Sequence, residues 1–207
     1  MAITNRLNPH ILNFPLLPKL ETNLSKLRIG FVGFIRYKSV LNFCRIYCKE
    51  FPQHEFHFYG VFSSNENRNL FAELKQYANC YFHGAFVSPD DLPTIYANLD
   101  LVLATYDVST ENVRYAEPNK VYEAMYFETP IIVSSGTFLS RKVQKMGIGY
   151  EIDPMNNEEI KHFISSLTAE KLQTVKDKMK QIDKQDLLCI NDDLFKRIES
   201  FSRILMI

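Results

Sequence analysis

Apolar residues come in short blocks along this chain, and two rhythms alternate. Leu27-Arg-Ile-Gly-Phe-Val-Gly33 is an apolar run closing on glycine, the pattern of a buried strand. Residues 38–51 then place Val40, Leu41, Cys44, Ile46, Tyr47 and Phe51 at helical spacing, and Pro52 follows as a stop. Glu55 to Gly60 predicts a second strand, and 66–78 a helix with Leu70, Phe71, Leu74 and Tyr77 on one face. Cys80 to His83 predicts a third strand. Ser88-Pro89-Asp90-Asp91 reads as a helix start, with Ser as cap, Pro at the first helical position and an acid three residues on. That helix should run to about Asn98. A fourth strand is expected over Leu99–Ala104, a helix over 119–127, a fifth strand over 130–134, a helix over 138–146 and a short sixth strand over Gly149–Ile152. From 156 onward the pattern is helical.

Residues 1–26 have no clear period, hold Pro9, Pro15 and Pro18, and read as a linker or an arm draped on something else. Residues 27–170 form the expected domain, and 171–207 a charged, amphipathic helical tail. Six strands separated by helices predict an α/β fold: a doubly wound, mostly parallel Rossmann-like sheet with helices on both faces. Such sheets bind ligands beyond the carboxyl ends of their strands, where the strand order reverses. For the order 3-2-1-4-5-6, the loops to inspect are 33–38 and 105–119, with 134–138 beside them.

Composition narrows the class. The chain is 46% apolar and 13% aromatic, enough to bury a substantial core. Its 24 basic and 24 acidic residues cancel, which argues against a nucleic-acid footprint. No apolar run approaches the roughly 20 residues needed to span a bilayer, and Met1–Phe14 lacks the apolar core of a signal peptide. Cys44, Cys48, Cys80 and Cys189 contain no C-x-x-C pair, and read as small buried hydrophobes in a reducing cytoplasm. His54 and His57, three apart at a strand start, should face opposite sides, so no metal pair is expected there.

The inspected loops carry the unusual residues. Gly33 permits a tight turn with close backbone approach, and Arg36 and Lys38 sit just before a helix N-terminus, where amides favour an anion. Phosphate suits an Arg fork and a Lys point charge; two solvated surface charges are the alternative. The spacing is neither the dinucleotide fingerprint nor a P-loop. Glu123, one turn into the helix after Pro118, could offer two oxygens to a cis-diol, or could simply pair with Lys120.

The stretch Glu117-Pro-Asn-Lys-Val-Tyr-Glu-Ala-Met-Tyr-Phe-Glu-Thr-Pro-Ile-Ile-Val-Ser134 resembles the signature segment of GT-B glycosyltransferases of the family 4, or group 1, type. Three further pieces match in order: Phe31-Val-Gly33 with Arg36 and Lys38; Tyr81-Phe-His-Gly84 with Leu92, Ile95 and Tyr96; and Asp100-Leu-Val-Leu. The resemblance covers roughly residues 27–170 and implies the C-terminal, donor-binding half of such an enzyme. It implies that Glu123 binds ribose hydroxyls, that Arg36 and Lys38 neutralise a diphosphate, that Gly33 clears space for it, and that Asn119 and Lys120 lie near the phosphates. The base would sit near Tyr59, Gly60 and Phe86.

There are departures. Retaining members carry a Glu eight residues before the ribose Glu; that position is Tyr115, and Glu117, two residues off, is the remaining catalytic candidate. Thr129 replaces a usual Gly, and Ile3-Thr-Asn5 resembles the link to an absent acceptor half. The expected function is transfer of a hexosyl unit from a nucleoside-diphosphate sugar to a glycan or lipid-linked acceptor, in polysaccharide biosynthesis, with an acceptor-binding domain or subunit as partner. No cofactor and no metal is expected, and the absence of a D-x-D sequence agrees with that. The expected location is the cytoplasm, or its membrane face if the acceptor is a lipid. The alternatives are a non-catalytic nucleotide-sugar-binding subunit or remnant, and a sugar-nucleotide 2-epimerase.

Overall fold

The computed structural model describes residues 6–108 and 114–189. Six strands form one sheet: β1 (Arg28–Val32), β2 (Glu55–Tyr59), β3 (Cys80–Gly84), β4 (Leu101–Ala104), β5 (Ile131–Ser134) and β6 (Gly149–Ile152). The order is β3-β2-β1-β4-β5-β6, and every neighbouring pair is parallel. The expected doubly wound sheet is therefore present, with its order reversing between β1 and β4.

Parallel strands alternate their side chains between two covered faces. Ile29, Phe31, Phe56, Phe58, Leu101, Leu103 and Ile132 enter one core, beneath α1 (Lys38–Glu50) and α6 (Asn157–Ser165). Val32, Val102, Ala104, Ile131 and Val133 enter the other, beneath α3 (Leu92–Ala97), α4 (Asn119–Tyr126) and α5 (Phe138–Met146). α7 (Ala169–Lys180) straddles both, giving Leu172 to the first core and Val175 and Met179 to the second. The arm lies on the second core: Ile11 and Leu7 are buried there, and Leu7 forms a parallel bridge with Leu188. Each such side chain contributes about 1.5–3 kcal/mol of burial.

Two elements differ from expectation. The helix expected over 66–78 is a short α2 (Asn65–Leu70) followed by a 3-10 turn at Phe71–Gln76. Phe71 and Leu74 are buried while Leu70 is exposed, so the apolar spacing is three residues, which a 3-10 turn places on one line. The helix expected to start at Ser88 begins at Leu92. Asp91 does not cap it; its carboxylate reaches back to accept the Val87 N–H at 2.7 Å and closes a turn, and Pro93 takes the early helical position instead. His54 and His57 do diverge: His54 is buried and its Nδ1 accepts the Leu27 N–H at 3.2 Å, while His57 joins Glu55 and His83 on the other face. The tail beyond residue 189 and the Ile3–Asn5 segment lie outside the described residues.

A single ion pair fastens β1 to β4 at the end opposite the reversal crevice. Arg28 Nε and Nη2 donate to the two oxygens of Asp100 at 2.9 Å each, and the Arg28 backbone N–H donates to Asp100 Oδ2 at 2.9 Å. Asp100 N–H returns a bond to the Arg28 carbonyl at 2.9 Å. Asp100 is 1% exposed, so removing it leaves a largely buried guanidinium unpaired. Asp100→Ala should lower stability by about 3–5 kcal/mol. Urea unfolding should show a lower midpoint with an unchanged slope; a loss below about 1 kcal/mol would mean the pair is a surface-like contact.

Candidate nucleotide-sugar site

The three loops beyond the strand ends are tied into one rim. Tyr106 N–H donates to Ser134 Oγ, and Ser134 O–H donates to the Tyr106 carbonyl, both at 2.9 Å, joining the loop after β4 to the carboxyl end of β5. Asp107 joins the loop after β4 to α1: its carboxylate accepts Lys38 N–H at 3.1 Å and Ser39 N–H at 2.8 Å. Tyr37 and Tyr106 meet edge to face at 4.9 Å across the same seam. Part of this rim, residues 109–113, lies outside the described residues.

Close backbone approach sets the other wall. Gly33 N–H donates to the Tyr59 carbonyl at 2.7 Å, with Gly33 at φ 129°. A Cβ on Gly60, at φ 137°, would fall 1.9 Å from the Gly33 carbonyl oxygen. Beyond them lies an apolar recess of about 210 Å³ lined by Gly33, Phe34, Gly60, Val61, Ala85, Phe86 and Ser88. A drug-sized ligand takes about 300–1,000 Å³, so this recess matches a ring rather than a whole nucleotide. Gly60 and Phe86 line it; Tyr59 stacks instead on His83 at 4.3 Å.

Lys120 and Glu123 sit on the first turns of α4. Lys120 is buried, with Nζ 3.7 Å from the centre of the Phe31 ring and 5.7 Å from that of Tyr106. Ring faces offset part of the desolvation cost of the ammonium. Burial nevertheless pushes Lys120 down to about 7; Glu123 opposes this and Arg36 adds to it. Burial likewise pushes Glu123 up, against a hydrogen bond from Tyr96 and the charge of Lys120. Tyr96 is fully buried, and its O–H donates to Glu123 Oε2 at 2.8 Å, fixing one oxygen of a half-buried carboxylate. A Cβ on Gly33 would come within 3.3 Å of Lys120 Nζ, so the glycine turn and the buried amine adjoin.

Arg36 is exposed; its guanidinium lies 4.8 Å from the centre of the Tyr37 ring and donates to Tyr37 Oη at 2.6 Å. Lys38 and Asn119 are also exposed, and no side chain caps α4 at Pro118. Glu117 is held in an ion pair by Lys142 of α5, which also bonds the Tyr122 hydroxyl at 3.2 Å. The structure thus gathers Gly33, Lys120 and Glu123, sets Arg36 close enough to act on Lys120, and turns Glu117 toward α5.

One expectation changes. The amides at the start of α1 are not open to an anion, because Asp107 already takes two of them. The sequence held a signal for this. Tyr37 occupies the N-cap position and has no side-chain oxygen suited to capping, so α1 needs an acceptor from elsewhere. Tyr96 was legible only as part of the family resemblance; nothing local marked it as the partner of Glu123.

The family model for glycosyl transferases group 1 matches residues 18–186. Among curated proteins, none matches. Among solved structures, HepE of Anabaena in complex with UDP-glucose is similar at 16% identity, with a TM-score of 0.67, over 88% of this chain and 56% of that one. Sucrose-phosphate synthase from Thermosynechococcus elongatus is similar at 16% identity and TM-score 0.64, over 99% of this chain and 52% of that one. The C-terminal domain of the group 1 family protein LpcC from Francisella tularensis is similar at 17% identity and TM-score 0.56, over 74% and 82%. The chain spans about half the length of HepE and of the synthase. The sheet order, the reversal crevice and a family match running over most of the chain agree, and the chain belongs to the group 1 glycosyl transferases.

Proposed function

We propose that this chain is the donor-binding half of a GT-B glycosyltransferase, which transfers a sugar from a nucleoside-diphosphate sugar to a glycan acceptor in polysaccharide biosynthesis. The observation that carries this reading is a half-buried Glu123, anchored by Tyr96, one turn along α4 from a buried Lys120 at the strand-order reversal. The complex of HepE with UDP-glucose supports the same ligand class. In this reading Glu123 accepts the two ribose hydroxyls, and the base lies against the Gly33–Gly60–Phe86 recess. The diphosphate lies against the uncapped start of α4, at Asn119 and Lys120, with Arg36 and Lys38 reaching it from the loop after β1. The negative charge that develops on the leaving diphosphate is met by these side chains and the α4 amides, placed before the bond breaks. The acceptor half is a partner domain or subunit, and the location is the cytoplasm or its membrane face. Among the described residues, no helix is long and apolar enough to cross a membrane.

A second reading, a nucleotide-sugar-binding subunit without catalysis, rests on one observation. Glu117, the catalytic candidate, is engaged with Lys142, and the neighbouring exposed position is Tyr115. Mixing the chain with an acceptor-domain protein separates the two: sugar transfer only in the mixture supports the enzyme, and donor binding with no transfer in any mixture supports the subunit.

Three outcomes test the site. Glu123→Gln keeps an acceptor for Tyr96 but weakens a charge-assisted diol contact, so affinity for a nucleoside diphosphate should fall by about 1.5–3 kcal/mol. The 2′-deoxy nucleotide should lose little further in that variant, as read by calorimetry. Arg36→Ala should weaken diphosphate binding by about 1.5–3 kcal/mol while leaving the free nucleoside unaffected. Equal losses for nucleoside and diphosphate would remove Arg36 from the phosphate contacts.

Lys120 gives a pH signature. With no ligand it loses its proton near 7, well below the ordinary lysine value of 10.5. A diphosphate beside it favours the ammonium and raises that value, so binding at about pH 8 takes up a proton. Affinity should therefore fall as pH rises above 7, and binding enthalpy should vary with the ionisation enthalpy of the buffer. Lys120→Met should remove the buffer dependence; its persistence in that variant would assign the proton elsewhere.

A further inference from the structure

Three of the four cysteines converge far from this crevice. Cys44 and Cys48 lie one turn apart on α1, and Cys80 opens the edge strand β3. Cys44 Sγ is 3.7 Å from Cys48 Sγ and 3.7 Å from Cys80 Sγ, and all three sulfurs lie within 4.8 Å of one another. Cys44 and Cys48 are buried and Cys80 is half-buried. From the sequence, Cys44 and Cys48 are two small apolar residues on a helix face; the fold brings the third sulfur from a strand 32 positions further on.

We propose that these residues form a three-thiolate site for a thiophilic cation of the zinc, cadmium or copper(I) class. A zinc–sulfur bond of about 2.3 Å in tetrahedral geometry puts neighbouring sulfurs about 3.8 Å apart. Two of the three edges already have this length, and small side-chain rotations of Cys48 and Cys80 close the third. Softness selects the metal, since an all-sulfur set disfavours magnesium, calcium and manganese. A disulfide between Cys44 and Cys48 fits less well. Helix neighbours four apart hold their Cβ atoms about 5–6 Å apart, whereas a disulfide needs about 3.5–4.5 Å. Binding breaks three S–H bonds, forms three metal–sulfur bonds and releases three protons to solvent, with no change of oxidation state. The fourth position is filled by water or an added thiol arriving through the adjoining cavity of about 480 Å³, which Cys48, Pro52, Tyr77 and Asn79 help to line. The metal would staple α1 to the edge strand, at the far end of the helix whose start faces the crevice.

The test uses the whole chain, reduced and freed of metal, under anaerobic conditions. Dialysis against zinc at a pH near 8 should leave about one ion per chain, since the fold brings the three sulfurs together and metal binding is coupled to the folded state. Cys80→Ser and Cys44→Ser should lose most of it, while Cys189→Ser keeps it. Cadmium should add a sulfur-to-metal charge-transfer band in the wild type and in Cys189→Ser, absent from Cys80→Ser. Zinc should raise the melting temperature of the wild type and leave that of Cys80→Ser unmoved. Circular dichroism checks that each variant is folded, and the cadmium titration of the wild type stands without any variant. Zinc content equal in wild type and Cys80→Ser, no cadmium band, or a thiol count that falls by two without metal would each overturn the proposal.

Discussion

The fork between Arg28 and Asp100 decides where the sheet divides. Four hydrogen bonds join the first residue of β1 to the residue just before β4, in a place where Asp100 meets almost no water. Such a pair adds little net stability over an apolar substitute, but it is costly to form wrongly, because either partner alone is a buried charge. It therefore acts on register more than on depth of the energy well. With β1 and β4 locked side by side at their amino ends, the crossovers to β2 and β5 must leave in opposite directions. The carboxyl ends open into a crevice between them, and every proposed donor contact hangs from that crevice.

Around the crevice the electrostatics are balanced rather than simply positive. Asp107 takes up two amides of α1, whereas no side chain caps the start of α4. Lys120 and Glu123 each lie in surroundings that disfavour their charge, and each supports the charge of the other. The buried hydroxyl of Tyr96 holds the carboxylate in place. The site is thus ordered by its own internal bonds before any ligand arrives, the condition under which fixed dipoles stabilise charge best.

The alternation of strands and helices was legible because each apolar block carried one unambiguous period. β6 and α5 fall on the expected residues, and the other strands differ by one or two residues at their ends. The helix at 66–78 and the start at Ser88 were misread for a common reason. Both expectations rest on local chemistry, and in both a side chain finds a different partner: Phe71 and Leu74 take a three-residue spacing into the core, and Asp91 turns back to Val87. The positions of Gly33, Lys120 and Glu123 could be read from spacing and family resemblance. The bond from Tyr96 to Glu123, the hold of Asp107 on α1 and the third sulfur of the cysteine cluster could not, because each arises only when distant segments meet.

The contact between Gly33 and Gly60 has a consequence for how such sites diversify. The two loops touch backbone to backbone, with no room for a side chain between them. The width of the crevice on that side is therefore a main-chain dimension, indifferent to the rotamers around it. Phe34, Val61, Phe86 and Ser88, which line the recess, can be exchanged one by one without moving the walls. A fold built this way separates the frame of the site from its lining; under the proposed placement, base preference can drift while the distance from base to phosphate stays constant.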